Sequence, residues 1–202
     1  MTSLDLVPNG DPRLASSDDL ALARSTIAAV HLDDVVVAAY RERMLTFVDE
    51  HPDALHRSCT VGHLTGSALV VDPSSDRILL LFHAKVRRWL QPGGHADGDA
   101  NLAAVALREA SEETGIEGLA VHLVPIDLDI HRFVSARADE PDHDHLDVRF
   151  LVVAPPGVEA TINHESEGAR WVTRDELAGL DLDLGIHRMA AEGFAVLARC
   201  LD

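Results

Sequence analysis

Apolar residues recur at helical spacing near both ends of this chain and at strand spacing between them. Val36, Tyr40, Met44 and Phe47 lie three or four residues apart, which predicts a helix over residues 33–51 that Pro52 stops. A preceding helix is predicted over residues 18–30, with Ser17 as its cap. Residues 1–15, carrying Pro8, Asn9, Gly10, Asp11 and Pro12, read as loose turns. From Gly62 the period shortens. Residues 65–72 and 77–83 read as strands joined by a Pro73-Ser74-Ser75-Asp76 turn. Residues 119–134 alternate in part, through Val121, Leu123, Ile126, Leu128 and Ile130, and predict one long bent strand. Residues 147–154 and 169–172 predict two more strands, the second followed by a turn or short helix through Asp175, Glu176 and Leu177. Ile186, Met189, Ala190, Phe194, Leu197 and Leu201 make residues 186–201 an amphipathic helix that covers the sheet.

Between these regions, Gly93-Gly94 opens a loop that leads into one helix. Asp99 or Asn101 can cap its first amides, good helix formers follow, and Gly115 suits the left-handed position that closes a helix at Thr114. Glu109, Glu112 and Glu113 stand at i, i+3 and i+4 and so share one face. Three like charges repel there, at the negative end of the helix dipole. A divalent cation removes both penalties, and carboxylate oxygens are the ligands that Mg²⁺ or Mn²⁺ takes.

This stretch resembles the Nudix box, G-x5-E-x7-R-E-U-x-E-E-x-G-U, where U is aliphatic. Gly94, Arg108, Glu109, Glu112, Glu113, Gly115 and Ile116 fall in register over residues 94–116. Two positions depart: Ala100 stands where the box has its first Glu, with Asp97 and Asp99 as neighbouring acids, and Ala110 is small for its aliphatic position. The resemblance implies an α/β fold, a Nudix-like α/β/α sandwich around a mixed sheet over residues 59–202. Residues 1–58 would form an N-terminal helical extension packed on that core. It also implies a Mg²⁺-dependent hydrolase, Mn²⁺ being the other candidate, that cleaves a diphosphate linkage. The substrate class it implies is a nucleoside di- or triphosphate, or a nucleoside diphosphate joined to another group. By the family pattern the metal ligands are the Gly93 carbonyl, Glu109, Glu112 and Glu113, with Glu109 either a ligand or the base. Arg108 orients a glutamate, and the acids Glu165 and Glu167 are catalytic candidates on a later loop. None of three subfamily substrate markers is met: His131 and Arg132 stand where a proline marks ADP-ribose enzymes, Tyr40 is the only tyrosine, and no SQPWPFPxS run occurs. Two other readings are a non-catalytic nucleotide-sensing module and an isopentenyl-diphosphate isomerase. The intact glutamates speak against the first, and the lack of a cysteine beside the glycine loop speaks against the second.

Composition narrows the partners. Across 202 residues, 34 acidic side chains against 17 basic ones give a formal charge of −17, which argues against a nucleic-acid polymer. A small phosphorylated substrate remains compatible where a metal supplies positive charge. Lys85, Arg87 and Arg88 lie just upstream of the glycine loop and are candidates to grip its phosphates. His143-Asp144-His145, in a predicted acidic loop over residues 136–146 beside Asp147, is a candidate to bind substrate or metal. Apolar runs fall short of the ~20 residues that span a bilayer, and the N-terminus lacks the order of a signal peptide, so a cytoplasmic location is expected. Cys59 and Cys200 are expected as free thiols. The apolar stripe of residues 33–51 packs on the domain or on a second subunit, making a homodimer an open expectation.

Overall fold

The computed structural model describes residues 4–30, 33–74, 76–134, 141–164 and 166–201. Two long strands form its middle. β2 (Gly62–Asp72) is buried at every position, and it pairs in parallel with β8 (His143–Val153), from Gly62↔Asp144 to Val71↔Val153. Each strand changes its outer neighbour midway. β2 meets β5 (Gly93–His95) along its first half and β3 (Arg77–His83) at its end. β8 meets β7 (Asp127–Phe133) along its first half and β6 (Ala120–His122) at its end. β3 also carries β4 (Arg88–Leu90) and β9 (Ser166–Thr173), while β6 carries β1 (Leu6–Pro8). The sheet is therefore mixed and forked, the α/β arrangement expected from the resemblance.

Helices cover both faces. α1 (Leu20–Ala28), α2 (Val35–Glu50) and α3 (Leu102–Thr114) share one core with Leu64, Ala68, Leu146, Val148 and Phe150. α5 (Leu184–Leu201) packs over Leu69, Val71 and Leu151 on the other side. The faces alternate residue by residue, as a pleat requires. A short α4 (Arg174–Leu177) follows β9, held by a reciprocal Thr173–Glu176 capping box.

Several sequence expectations need correction. The stretch over residues 119–134 is two strands, β6 and β7, separated around Pro125, whose missing amide cannot serve the ladder to β8. His143, Asp144 and His145 begin strand β8 and do not lie in a loop, because β2 supplies a parallel partner down to Gly62. The N-terminal turns include β1, which adds to the edge at β6. In α2 the buried stripe is Val37, Met44 and Val48, whereas Val36 is 43% exposed. Of the predicted acidic loop, residues 136–140 lie outside the described residues. No helix of the described residues is long and apolar enough to cross a membrane.

Met44 is fully buried in the shared core. Met44→Ala is expected to lower stability by about 2–5 kcal/mol through lost burial and a cavity, against about 0.5 kcal/mol or less for Val36→Ala. Denaturant unfolding of the two variants measures the contrast.

Candidate active site

α3 and the glycine strand β5 meet because two glycines permit it. A Cβ on Gly66 would lie 2.8 Å from the Leu102 carbonyl oxygen, so only glycine lets α3 rest on β2. A Cβ on Gly94 would lie 2.4 Å from the Glu109 carboxyl carbon. Local chemistry sets the ends of α3: the Asn101 side chain accepts from the Ala104 amide at 3.3 Å, and Gly115 closes the helix at φ 63°. The Gly93 amide donates to Glu113 Oε2 at 3.3 Å. Arg108 donates to Glu109 Oε1 at 2.7 Å and to the His95 carbonyl at 3.2 Å, tying the helix to the strand beyond the glycines. Burial opposes the Arg108 charge, but its bond to Glu109 and the charges of Glu109, Glu112 and Asp99 together outweigh that and raise its pKa. Glu109 and Glu113 are half-buried and Glu112 is exposed. Three carboxylates at one helix end suit a hard cation that keeps waters and phosphate oxygens among its ligands.

Position 100 has a structural reason to be small. Ala100 is fully buried beneath the N-terminal segment, and its amide donates to the Ser17 carbonyl at 2.6 Å. Asp99 accepts from the amides of Ser17 at 3.1 Å and Asn101 at 2.9 Å. The Asn101 side chain also donates to the carbonyls of Arg13 and Ala15. Asp97, at φ 49°, is held by Arg57 through two 2.7 Å bonds. Both acids near Ala100 thus serve the chain around it.

The basic candidates lie at the β3–β4 edge. Lys85, Arg87 and Arg88 are exposed. Arg87 stacks over Phe82 at 4.8 Å and pairs with Glu167 of β9, which brings two of the candidate residues together. Phe82, Arg87, Arg88, Trp89, Asp181 and Asp183 line a cavity of about 330 Å³ there. Glu165 lies outside the described residues.

On the face of β5 away from Glu109, polar residues form a continuous strip. His143 and His145 face His63 and His95, with ring centroids 4.6–5.2 Å apart. Next along the strip, Asp147 accepts from Thr65 and Ser67, each at 2.8 Å, and from Arg149 at 2.9 Å. Buried Arg149 also meets Asp127 and Asp129 at 3.1 Å, and Arg188 of α5 closes on Asp127 at 2.8 Å. Burial opposes the Arg149 charge, yet the three carboxylates hold it firmly protonated. For Asp127 burial wins and raises its pKa; for Asp129, burial is outweighed by His131 and Arg149 and the pKa falls. Its trace in the sequence is an alternation, Asp127, Asp129, His131 and His143, His145, Asp147, Arg149, with polar side chains at every second residue.

Restoring the box acid should expose the conflict at position 100. Ala100→Glu is expected to cost about 1–3 kcal/mol by overpacking, and to loosen the segment bonded through Ser17 and Arg13. Thermal melts and faster proteolytic clipping before residue 20 are the readouts.

The NUDIX domain family matches residues 63–192. The chain is 33% identical over 118 residues to a CMP-5'-(N-acetyl-N-hydroxy-3-aminopropyl)phosphonate hydrolase of Streptomyces rubellomurinus, covering 55% of this chain and 52% of that protein. It is 30% identical over 123 residues to phosphatase NudJ of Escherichia coli, covering 59% of this chain and 68% of that one. The chain thus spans about half the length of the first relative and about two thirds of the second. In structure it is similar to an Ap4A hydrolase of C. elegans, with a TM-score of 0.55 and 16% identity over 67% of this chain and 98% of that chain. That likeness concerns the fold. With most of its length matched by the family, the chain belongs to the NUDIX domain family.

Proposed function

We propose that this chain is a divalent-metal-dependent pyrophosphohydrolase that cleaves a phosphoanhydride bond in a nucleoside di- or triphosphate, or in a nucleoside diphosphate joined to another group. One observation carries the reading: Glu109 and Glu113 lie directly against the Gly94 and Gly93 backbone, at the end of a helix that also presents Glu112. The hard oxygen donors of this set fit Mg²⁺, with Mn²⁺ the other fit, and the ligands proposed are Glu112, Glu113, Glu109 and the Gly93 carbonyl. Such an ion, when bound, neutralises charge on the bridging and leaving oxygens and acidifies a water. Glu109 then has one of two roles, ligand or acceptor of the water proton. Arg108 sets its carboxylate by the 2.7 Å bond. Lys85 and Arg88 offer exposed cations for phosphate oxygens, and Arg87 is steadied by Glu167. The name of the Streptomyces relative, which describes a nucleotide joined to a phosphonate, supports the last of the three substrate types. On this reading residues 1–58 are an extension packed on a hydrolase domain of residues 59–202.

A panel of nucleotides assayed with Mg²⁺ for released phosphate or pyrophosphate tests the proposal. Glu112→Gln and Glu113→Gln keep side-chain shape but remove charge, and each should lower kcat/KM by roughly 100-fold or more. Metal-free stability should hold or rise by some tenths of a kcal/mol, since like charges at a helix C-terminus are relieved. Arg88→Ala should raise KM about tenfold with little change in kcat, as loss of one charged hydrogen bond to phosphate implies.

A further inference from the structure

Four imidazoles from three strands converge on the sheet face turned away from the glutamates of α3. His63 comes from β2, His95 from β5, and His143 and His145 from β8. One ring nitrogen of each lies within 4.8 Å of the others. In a tetrahedral site with metal–nitrogen bonds of 2.0–2.1 Å, nitrogens stand about 3.3 Å apart and ring centroids about 5.2 Å apart. Here the Nε2 atoms of His143 and His145 are 3.1 Å apart, and the five closest centroid separations are 4.6–5.2 Å.

Proton positions strengthen the case. His143 Nδ1 lies 2.9 Å from the Pro141 carbonyl, which can only accept, so Nδ1 carries the proton and Nε2 presents a lone pair to the cluster. His63 is 97% buried, its Nδ1 faces the Cys59 carbonyl at 3.5 Å, and its buried Nε2 has no hydrogen-bond partner. A carbonyl behind the ring and a bare lone pair in front is the arrangement of a metal-ligating histidine. His131, 5.2 Å from the His145 ring and paired with Asp129 at 3.2 Å, stands behind the four.

We propose that His63, His95, His143 and His145 form a second metal site, suited to a borderline divalent ion such as Zn²⁺ and separate from the glutamate site. Four nitrogen ligands close such a site without an open position, which makes it structural. It would pin the glycine strand β5 to the β2–β8 pair. Carboxylates that suit Mg²⁺ and imidazoles that suit Zn²⁺ give the two sites different preferences. The inference does not depend on the hydrolase reading.

The test uses tag-free full-length protein, stripped with chelator and titrated with Zn²⁺ or Co²⁺. About one equivalent should bind tightly, and X-ray absorption of the loaded parent should show a nitrogen-only shell at about 2.0–2.1 Å with imidazole scattering. His63→Asn and His145→Asn should each weaken zinc binding roughly 100-fold or more, whereas Glu112→Gln and Glu113→Gln should leave it unchanged. An oxygen-dominated shell, full affinity in both histidine variants, or zinc lost in the glutamate variants alone would overturn the assignment. The absorption measurement on the parent stands even where a histidine variant fails to fold.

Discussion

Everything else in this molecule hangs on the parallel pairing of β2 with β8. Parallel neighbours cannot be joined by a tight turn, so the chain between them must cross over, and that crossover contains β3, β5, α3 and β7. Both strands are covered on both faces for most of their length, as parallel strands usually are. Their register runs unbroken over ten residue pairs, Gly62↔Asp144 to Val71↔Val153. A slip by one residue would turn Leu146, Val148 and Phe150 out of the α3 core and drive Asp147 and Arg149 into it. Register is therefore fixed by opposed chemistry on the two faces.

The polar face needs its own compensation. Asp127, Asp147 and Arg149 are almost wholly buried, and an isolated charge in such a place is strongly unfavourable. Here two guanidinium groups, Arg149 and Arg188, meet three carboxylates, and the Thr65 and Ser67 hydroxyls satisfy what remains on Asp147. Breaking one member would strand the others, so the network specifies where the first turn of α5 docks through Gly185 and Arg188. The same face carries the four imidazoles further along the strands. β5 has Glu109 on one side and His95 on the other, so a three-residue strand separates the carboxylates of α3 from the four imidazoles.

The N-terminal segment bears on the glycine loop in a way its distance along the chain hides. Ser17, Ala15 and Arg13 bond to residues 99–101, just where α3 begins. Ala100 is consistent with that contact, since a glutamate would have to displace it. The alanine at position 100 and the docking of residues 13–17 belong to one packing arrangement.

The sequence alone determined the parts whose physics is local. The α3 helix, a cap at Asp99 or Asn101, its Gly115 terminus and the i, i+3, i+4 glutamates follow from contacts within a few residues, and the family was legible in that stretch. Strands β2 and β3 and the last helix were legible from period alone. Tertiary structure decided whatever depends on partners distant in the chain. Residues 143–146 carry turn-like polar chemistry, and only a parallel partner 82 residues earlier, pairing His63 with His145, makes them strand. Pro125 breaks a stretch that alternation alone would continue. The histidine cluster unites positions 63, 95, 143 and 145, and the burial of Ala100 depends on residue 17. Periodicity records which face a side chain takes, but register and crossover decide what it meets there, and those are set by the competition of whole faces for burial.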